Sequence, residues 1–297
     1  MTIKYFFASL LSLLLVYSCT DATEHQLSLD PEGLILLSDA FSFTEGPTSD
    51  SIGNVYFTDQ PNNKIYRYGV EGKLEVFMRE AGRSNGLYFD YIGVLWACAD
   101  RYNQLWKIHA DKSLSVVLNA DSANRFNGPN DIWVHKKGFV YFTDPLYQRP
   151  YWDNHHDTLA YQGLYQFTEQ GTAQLRDSSL VQPNGIIGDS EHDLLYVSDI
   201  GAGITYKYSI TEKGELINKE KFIDMGSDGM TLDDQGNLYL TGEGVTVFNK
   251  KGKQVAHLAI PEKWTANVCF GGKDHNELFI TASKGLYKIH TNVKGVL

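Results

Sequence analysis

The chain has 297 residues, 42% hydrophobic and 21% charged, with 26 basic against 36 acidic side chains and a formal charge of −10. That hydrophobic share, with 13% aromatics, supplies a sizeable core and excludes a disordered chain, and the acidic balance without a Lys/Arg run excludes a nucleic-acid partner. Three cysteines, Cys19, Cys98 and Cys269, argue against a disulfide scaffold, so the core must carry the stability.

Lys4 followed by the apolar run Phe6–Tyr17 has the form of a secretory signal and is too short to cross a bilayer as a helix, which takes roughly 17–25 residues. The run ends in Val16-Tyr17-Ser18-Cys19, which resembles the lipobox of bacterial lipoproteins, where the cysteine thiol is lipidated. The expectation is a lipoprotein signal peptide over residues 1–18, lipidation at Cys19, a polar tether over 19–30 and one folded domain over 31–297. Such a protein is exported, faces the periplasm or the cell surface, and meets the membrane only through its lipid. An ordinary signal peptide with an incidental cysteine is the alternative.

From Glu45 onward one pattern recurs six times: a polar residue, an apolar strand, a Gly- or Asp-containing turn and a second strand. The copies begin at Glu45, Asn85, Asn130, Asn184, Asp228 and Asn267, separated by 40, 45, 54, 44 and 39 positions. That period fits propeller blades of about 40–50 residues better than the 33–34 of ankyrin or tetratricopeptide arrays. Most copies carry a second hairpin, such as Lys64–Tyr68 with Lys73–Phe77, and helical periodicity is nowhere sustained. The pattern predicts an all-β, six-bladed β-propeller with four-stranded antiparallel blades. After the last copy only Gly285–Ile289 and a short tail remain, so the early segment Gly33–Leu37 is expected to close the ring. A pair of β-sandwiches is the competing architecture.

Equivalent positions at the start of six innermost strands point toward one axis, and all six residues there carry side-chain oxygen. Taken singly, Asn-Gly and Asp-Gly are ordinary turn dipeptides. As a set, two carboxylates crowded on one axis repel unless a cation lies between them. Two acids with amide oxygens suit a hard ion, Ca²⁺ first, then Mg²⁺ or Mn²⁺, with Zn²⁺ least suited because Cys and His do not occupy these positions. Such an ion polarises a carbonyl, and Asp228 is the candidate for proton transfer or attack, with Glu45 as a fixed ligand.

The segments Phe43–Pro47, Arg125–Asp131, Tyr141–Pro145, Pro183–Ile186 and Ser227–Met230, in this order and at blade spacing, resemble the SMP-30/gluconolactonase/luciferin-regenerating-enzyme-like propellers. That family includes calcium-dependent sugar-acid lactonases and organophosphate-hydrolysing relatives. The resemblance implies that Glu45, Asn130, Asn184 and Asp228 surround the metal, with Asp228 transferring the proton, while Asn130 in some members holds substrate instead. It makes Arg125 and Asn127 candidate substrate contacts, although Arg125 equally suits a surface ion pair. Asp131 either orients a neighbour or serves as a turn residue. The segment Leu146–Tyr161 interrupts the third blade, and its His155 and His156 are candidates for binding substrate. The expected activity is hydrolysis of a sugar-acid lactone, with phosphotriester hydrolysis on the same site, or ligand binding without turnover, as alternatives. Cys98 and Cys269 read as buried inert thiols, and Phe57, Phe142 and Tyr196 as blade packing.

Overall fold

The computed structural model describes residues 27–119, 126–151, 159–168 and 170–296. It is an all-β structure of six four-stranded antiparallel sheets arranged as a propeller. The innermost strands run Thr44–Ser49, Leu87–Phe89, Ile132–Val134, Pro183–Asp189, Met230–Leu232 and Thr265–Gly271, each starting at or within two residues of the polar position that opens its repeat. The sixth blade takes Ile35–Ser38 as its outermost strand, paired antiparallel with Gly285–His290, which closes the ring with both ends of the chain as the sequence implied. The leader and Cys19 lie outside the described residues. Leu27 and Leu29, inside the stretch read as tether, pack on the last interface of the ring, and Ser28 N–H donates to Asn292 at 2.9 Å. No helix among the described residues is long and apolar enough to cross a membrane.

Burial follows from the radial arrangement. The second strands, such as Val55–Asp59 and Val140–Asp144, are buried at every position, because a blade is covered on both faces by its neighbours. Fourth strands such as Leu114–Asn119 are mostly exposed. Six apolar clusters form, each spanning two adjacent blades; one joins Val55 and Phe57 of the first blade to Phe279 and Leu286 of the sixth. Phe57 and Phe142 are fully buried and stack on Tyr66 and Tyr165, and Tyr196 is buried too, in agreement with their reading as packing residues. Cys98 and Cys269 are buried and free, and burial pushes both thiols well above the usual range.

The recurrent Thr-Asp at the end of second strands has a physical reason. The hydroxyl reaches the neighbouring blade: Thr143 donates to the Asn184 carbonyl at 2.7 Å and Thr58 to that of Asn85 at 3.1 Å. The carboxylate holds the loop that leads into its own blade. Asp144 accepts the N–H groups of Asn127 and Gly128 at 2.9 and 2.7 Å, Asp59 those of Ser42 and Phe43 at 3.2 Å, and Asp199, in the equivalent Ser-Asp, those of Val181 and Gln182 at 2.8 Å. One dipeptide therefore fixes both blade order, through the hydroxyl, and the entry of its own inner strand, through the carboxylate. Thr143→Val, which leaves the buried Asn184 carbonyl without its donor, is expected to lower stability by about 1–3 kcal/mol in urea unfolding.

Candidate active site

Each inner strand delivers its first polar side chain to the same end of the channel, and the glycine that follows lets the next strand approach. A Cβ on Gly46 would lie 2.1 Å from the Asn85 carbonyl oxygen, and one on Gly229 would meet the Asn267 side chain at 1.9 Å. The Glu-Gly, Asn-Gly and Asp-Gly pairs are thus contact points between blades, with Gly46 also held at φ +47°.

Asn184 and Asp228 meet directly: Asn184 Nδ2 donates to Asp228 Oδ1 at 2.7 Å. The same amide donates to the Tyr147 hydroxyl at 2.7 Å, so Asn184 Oδ1 is its remaining acceptor. Trp264 Nε1 donates to Asp228 Oδ2 at 2.5 Å. Glu45 is fully enclosed; Gly46 N–H and Asn267 Nδ2 address its Oε2 at 2.7 and 3.4 Å. Asn130 lies at the same level, its backbone N–H bonded to Thr143 and its carbonyl accepting from Gly86 at 2.7 Å. Asn85 Oδ1, at the second ring position, is buried without a hydrogen-bond partner.

Burial, then the nearby charge of Asp228, raises the Glu45 carboxyl well above the usual carboxylate range. Burial likewise lifts Asp228 to about 6, against the pull of its Trp264 and Asn184 donors and of Arg149. Asp131 rises to about 7, again through burial. It ties its own strand to the next, accepting the N–H groups of Ile132 at 3.0 Å and Ile186 at 3.4 Å.

Among the described residues no group of three or more His, Cys, Asp and Glu converges as a metal site. What converges is two buried acids, the charge of Asp228 adding to the cost of ionising Glu45, with the Asn184 and Asn267 amides on them and a further ring amide oxygen, Asn85 Oδ1, buried without a partner. Those are the ligand types of a hard divalent ion, and they fit it.

Asn127 is spent on the fold. Its Nδ2 donates to the Tyr161 carbonyl at 2.9 Å and to Asp144, and its Oδ1 accepts from Leu159 N–H at 3.1 Å, so it pins the return of the third-blade insertion. Arg125, His155 and His156 lie outside the described residues. Three residues at the site are not repeat positions: Tyr147 and Arg149, from the third-blade insertion, and Trp264. The Arg149 guanidinium lies 5.0 Å from the Tyr147 ring centroid, and its Nε is 3.5 Å from Asp100 Oδ2. Tyr151 bonds the same carboxylate. The only sequence signal for these residues was an aromatic and basic stretch directly after Asp144-Pro145, and for Trp264 an amphipathic aromatic three residues before the sixth ring position.

Residues 43–284 match the SMP-30/gluconolactonase/LRE-like region. A gluconolactonase of Zymomonas mobilis subsp. mobilis is 27% identical over 292 residues, covering 88% of this chain and 82% of its own. Among solved structures, a gluconolactonase from Xanthomonas campestris superposes with a TM-score of 0.79 at 24% identity, covering 87% of this chain and 89% of its own. A calcium-binding regucalcin from Agrobacterium tumefaciens strain C58 does so with 0.74 at 18%, covering 88% and 95%. With most of its length inside that match, and with the fold and ring built as described, the chain belongs to the SMP-30/gluconolactonase/LRE-like family.

Proposed function

We propose that this protein hydrolyses the lactone of a sugar acid at the channel mouth, with a divalent cation, Ca²⁺ first, held by Glu45, Asn130, Asn184 and Asp228. The observation that carries this reading is a pair of enclosed carboxylates from the first and fifth blades, Asp228 held by the Asn184 amide and Glu45 near enough to feel its charge. The Zymomonas gluconolactonase supports the substrate class. When bound, the ion would polarise the lactone carbonyl and offset the charge developing on its oxygen.

The chain's own residues account for the proton. Asp228 takes a proton from water as the water oxygen bonds to the carbonyl carbon. The ring C–O bond then breaks, and the proton passes to the departing alkoxide, leaving a hydroxy acid. Proton transfer suits Asp228 better than attack. Both of its oxygens already accept N–H bonds, and burial sets its proton affinity near neutrality. Trp264 and Asn184 fix the carboxylate plane, and Tyr147 fixes Asn184. The test is turnover of glucono-1,5-lactone by purified protein, abolished by chelation and restored by Ca²⁺. Turnover of a phosphotriester but of no lactone supports the alternative substrate, and turnover of neither removes the enzymatic reading. The same reading has the enzyme exported and anchored through Cys19, for which labelled palmitate incorporated by wild type and lost in Cys19→Ala is the expected result.

The raised carboxyls also set a pH dependence. Glu45, Asp131 and Asp228 hold protons more tightly folded than unfolded. The stability linked to those protons is complete below about pH 4, the unfolded range, and is lost as pH climbs through about 6 to 7. Chelator-stripped protein is expected to melt several degrees lower at pH 8 than at pH 5, with saturating Ca²⁺ recovering most of the loss. A stripped protein whose melting point rises steadily over that interval contradicts the arrangement.

A further inference from the structure

The catalytic side chains occupy one end of the inner strands. At the other end the channel opens into a separate cavity of about 510 Å³, within the range of small-molecule pockets. Its walls are the far ends of the inner strands, with Leu87, Phe89, Ile132, Ile186, Met230 and Val268 facing in, and its mouth is bounded by the hairpin turns that follow the first two inner strands. Exposed apolar side chains gather on that mouth: Ile92 at 84%, Ile52 at 63%, Tyr91 at 52% and Val296 at 41% exposure. A cluster of this kind at the rim of a concave apolar cavity marks a binding site rather than ordinary surface.

Charge narrows what it holds. Asp50, Asp90 and Asp131 line the cavity with His109, and no Lys or Arg does so among the described residues. An anionic head group, such as that of a fatty acid, would meet like charge; a neutral or cationic one would not. The polar groups at the inner end are Asp131, Asn267 and Thr231; the Asp131 and Asn267 oxygens already accept the N–H groups of Ile132, Ile186 and Val268, which leaves their second lone pairs and the Thr231 hydroxyl to meet a donor. The partition there is thin, because Asn267 is the residue whose amide lies 3.4 Å from Glu45 on the catalytic side.

We propose that this second mouth binds an apolar molecule carrying a single neutral or cationic hydrogen-bond donor, an alcohol or amine with a hydrocarbon or aromatic body, independently of the lactone site. The probe is N-phenyl-1-naphthylamine, a neutral two-ring body with one N–H, followed by its fluorescence on the full chain. Saturable one-to-one binding in the micromolar range is expected, displaced by decylamine and decanol and at least tenfold less well by decanoate. Ile187→Trp, at a half-buried position on the wall, should weaken the probe at least tenfold. Ser49→Lys, at the half-buried end of the first inner strand, should admit decanoate, a gain that a misfolded protein would not show. Asp228→Asn should bind the probe as wild type does. Absence of saturable binding in wild type overturns the proposal. So does equal displacement by decanoate and decylamine, or unchanged binding in a normally melting Ile187→Trp protein; if that variant fails to fold, the Ser49→Lys competition decides.

Discussion

Asp228→Asn is expected to lower lactone turnover by about a hundred- to ten-thousandfold, the range for loss of a positioned general base, while the protein folds normally. The substitution is nearly isosteric. Its oxygen can still accept from Trp264, now at 2.5 Å from Asp228 Oδ2, and the Asn184 amide, at 2.7 Å from Oδ1, can rotate to accept from the new N–H. What disappears is one of two charges buried against each other, since Asp228 is the largest charged contributor to the rise of Glu45. The variant should therefore melt at or above the wild-type temperature when both are stripped of metal, an inactive protein that is no less stable. Steady-state kinetics and a thermal melt on one preparation check both halves. Full turnover in Asp228→Asn, or a melting point lowered by more than a few degrees, would mean that the carboxylate serves the fold and not the chemistry.

Gly46→Ala should be a severely damaging single-methyl change at the ring level of the first blade. The new Cβ would stand 2.1 Å from the Asn85 carbonyl oxygen and 2.9 Å from the Gly86 Cα, both main-chain atoms of the segment that enters the next inner strand, at a residue with φ +47°. No side chain can swing away to make room. Left-handed backbone costs about 1–2 kcal/mol for a residue with a Cβ, and overpacking a rigid contact adds about 1–3 kcal/mol. The sum is a large part of the about 5–15 kcal/mol that holds a domain folded. Because the strain acts between the first two blades at ring level, Glu45 should be displaced as well, and activity lost in whatever folds. Gly138→Ala is the control: its φ is +86°, but nothing lies within 4 Å of the added atom, so only the backbone term applies. Urea unfolding of the pair should separate them by at least about 1 kcal/mol.

The architecture was legible because a propeller writes the same physical demands into every blade. A polar residue and a glycine recur where strands crowd the axis, an unbroken apolar run where a strand is covered on both faces, and Thr-Asp where a blade must reach forward and hold its own loop. Closure could be read from a strand missing at one end and spare at the other. Half of the ring contacts were legible for the same reason, since Glu45, Asn184 and Asp228 are repeat positions. Tyr147, Arg149 and Trp264 are not. They reach the site from an insertion and from the loop before the sixth inner strand, where no period selects them and only the folded channel brings them to Asn184 and Asp228. Asn127 shows the reverse. Its motif marks it for substrate, yet its side chain is engaged by Asp144, Leu159 and Tyr161, because holding an insertion is a demand of this chain and not of the repeat.

The most direct measurement is a Tb³⁺ titration of chelator-stripped protein with excitation of tryptophan, since Trp264 lies against Asp228 and would sensitise a lanthanide held beside it. One ion per chain is expected, displaced by Ca²⁺, with stoichiometry kept and emission lost in Trp264→Phe, and binding lost in the Glu45→Gln, Asp228→Asn double variant. Saturation that survives the double variant, or no saturable emission at all, would contradict a cation shared by these carboxylates.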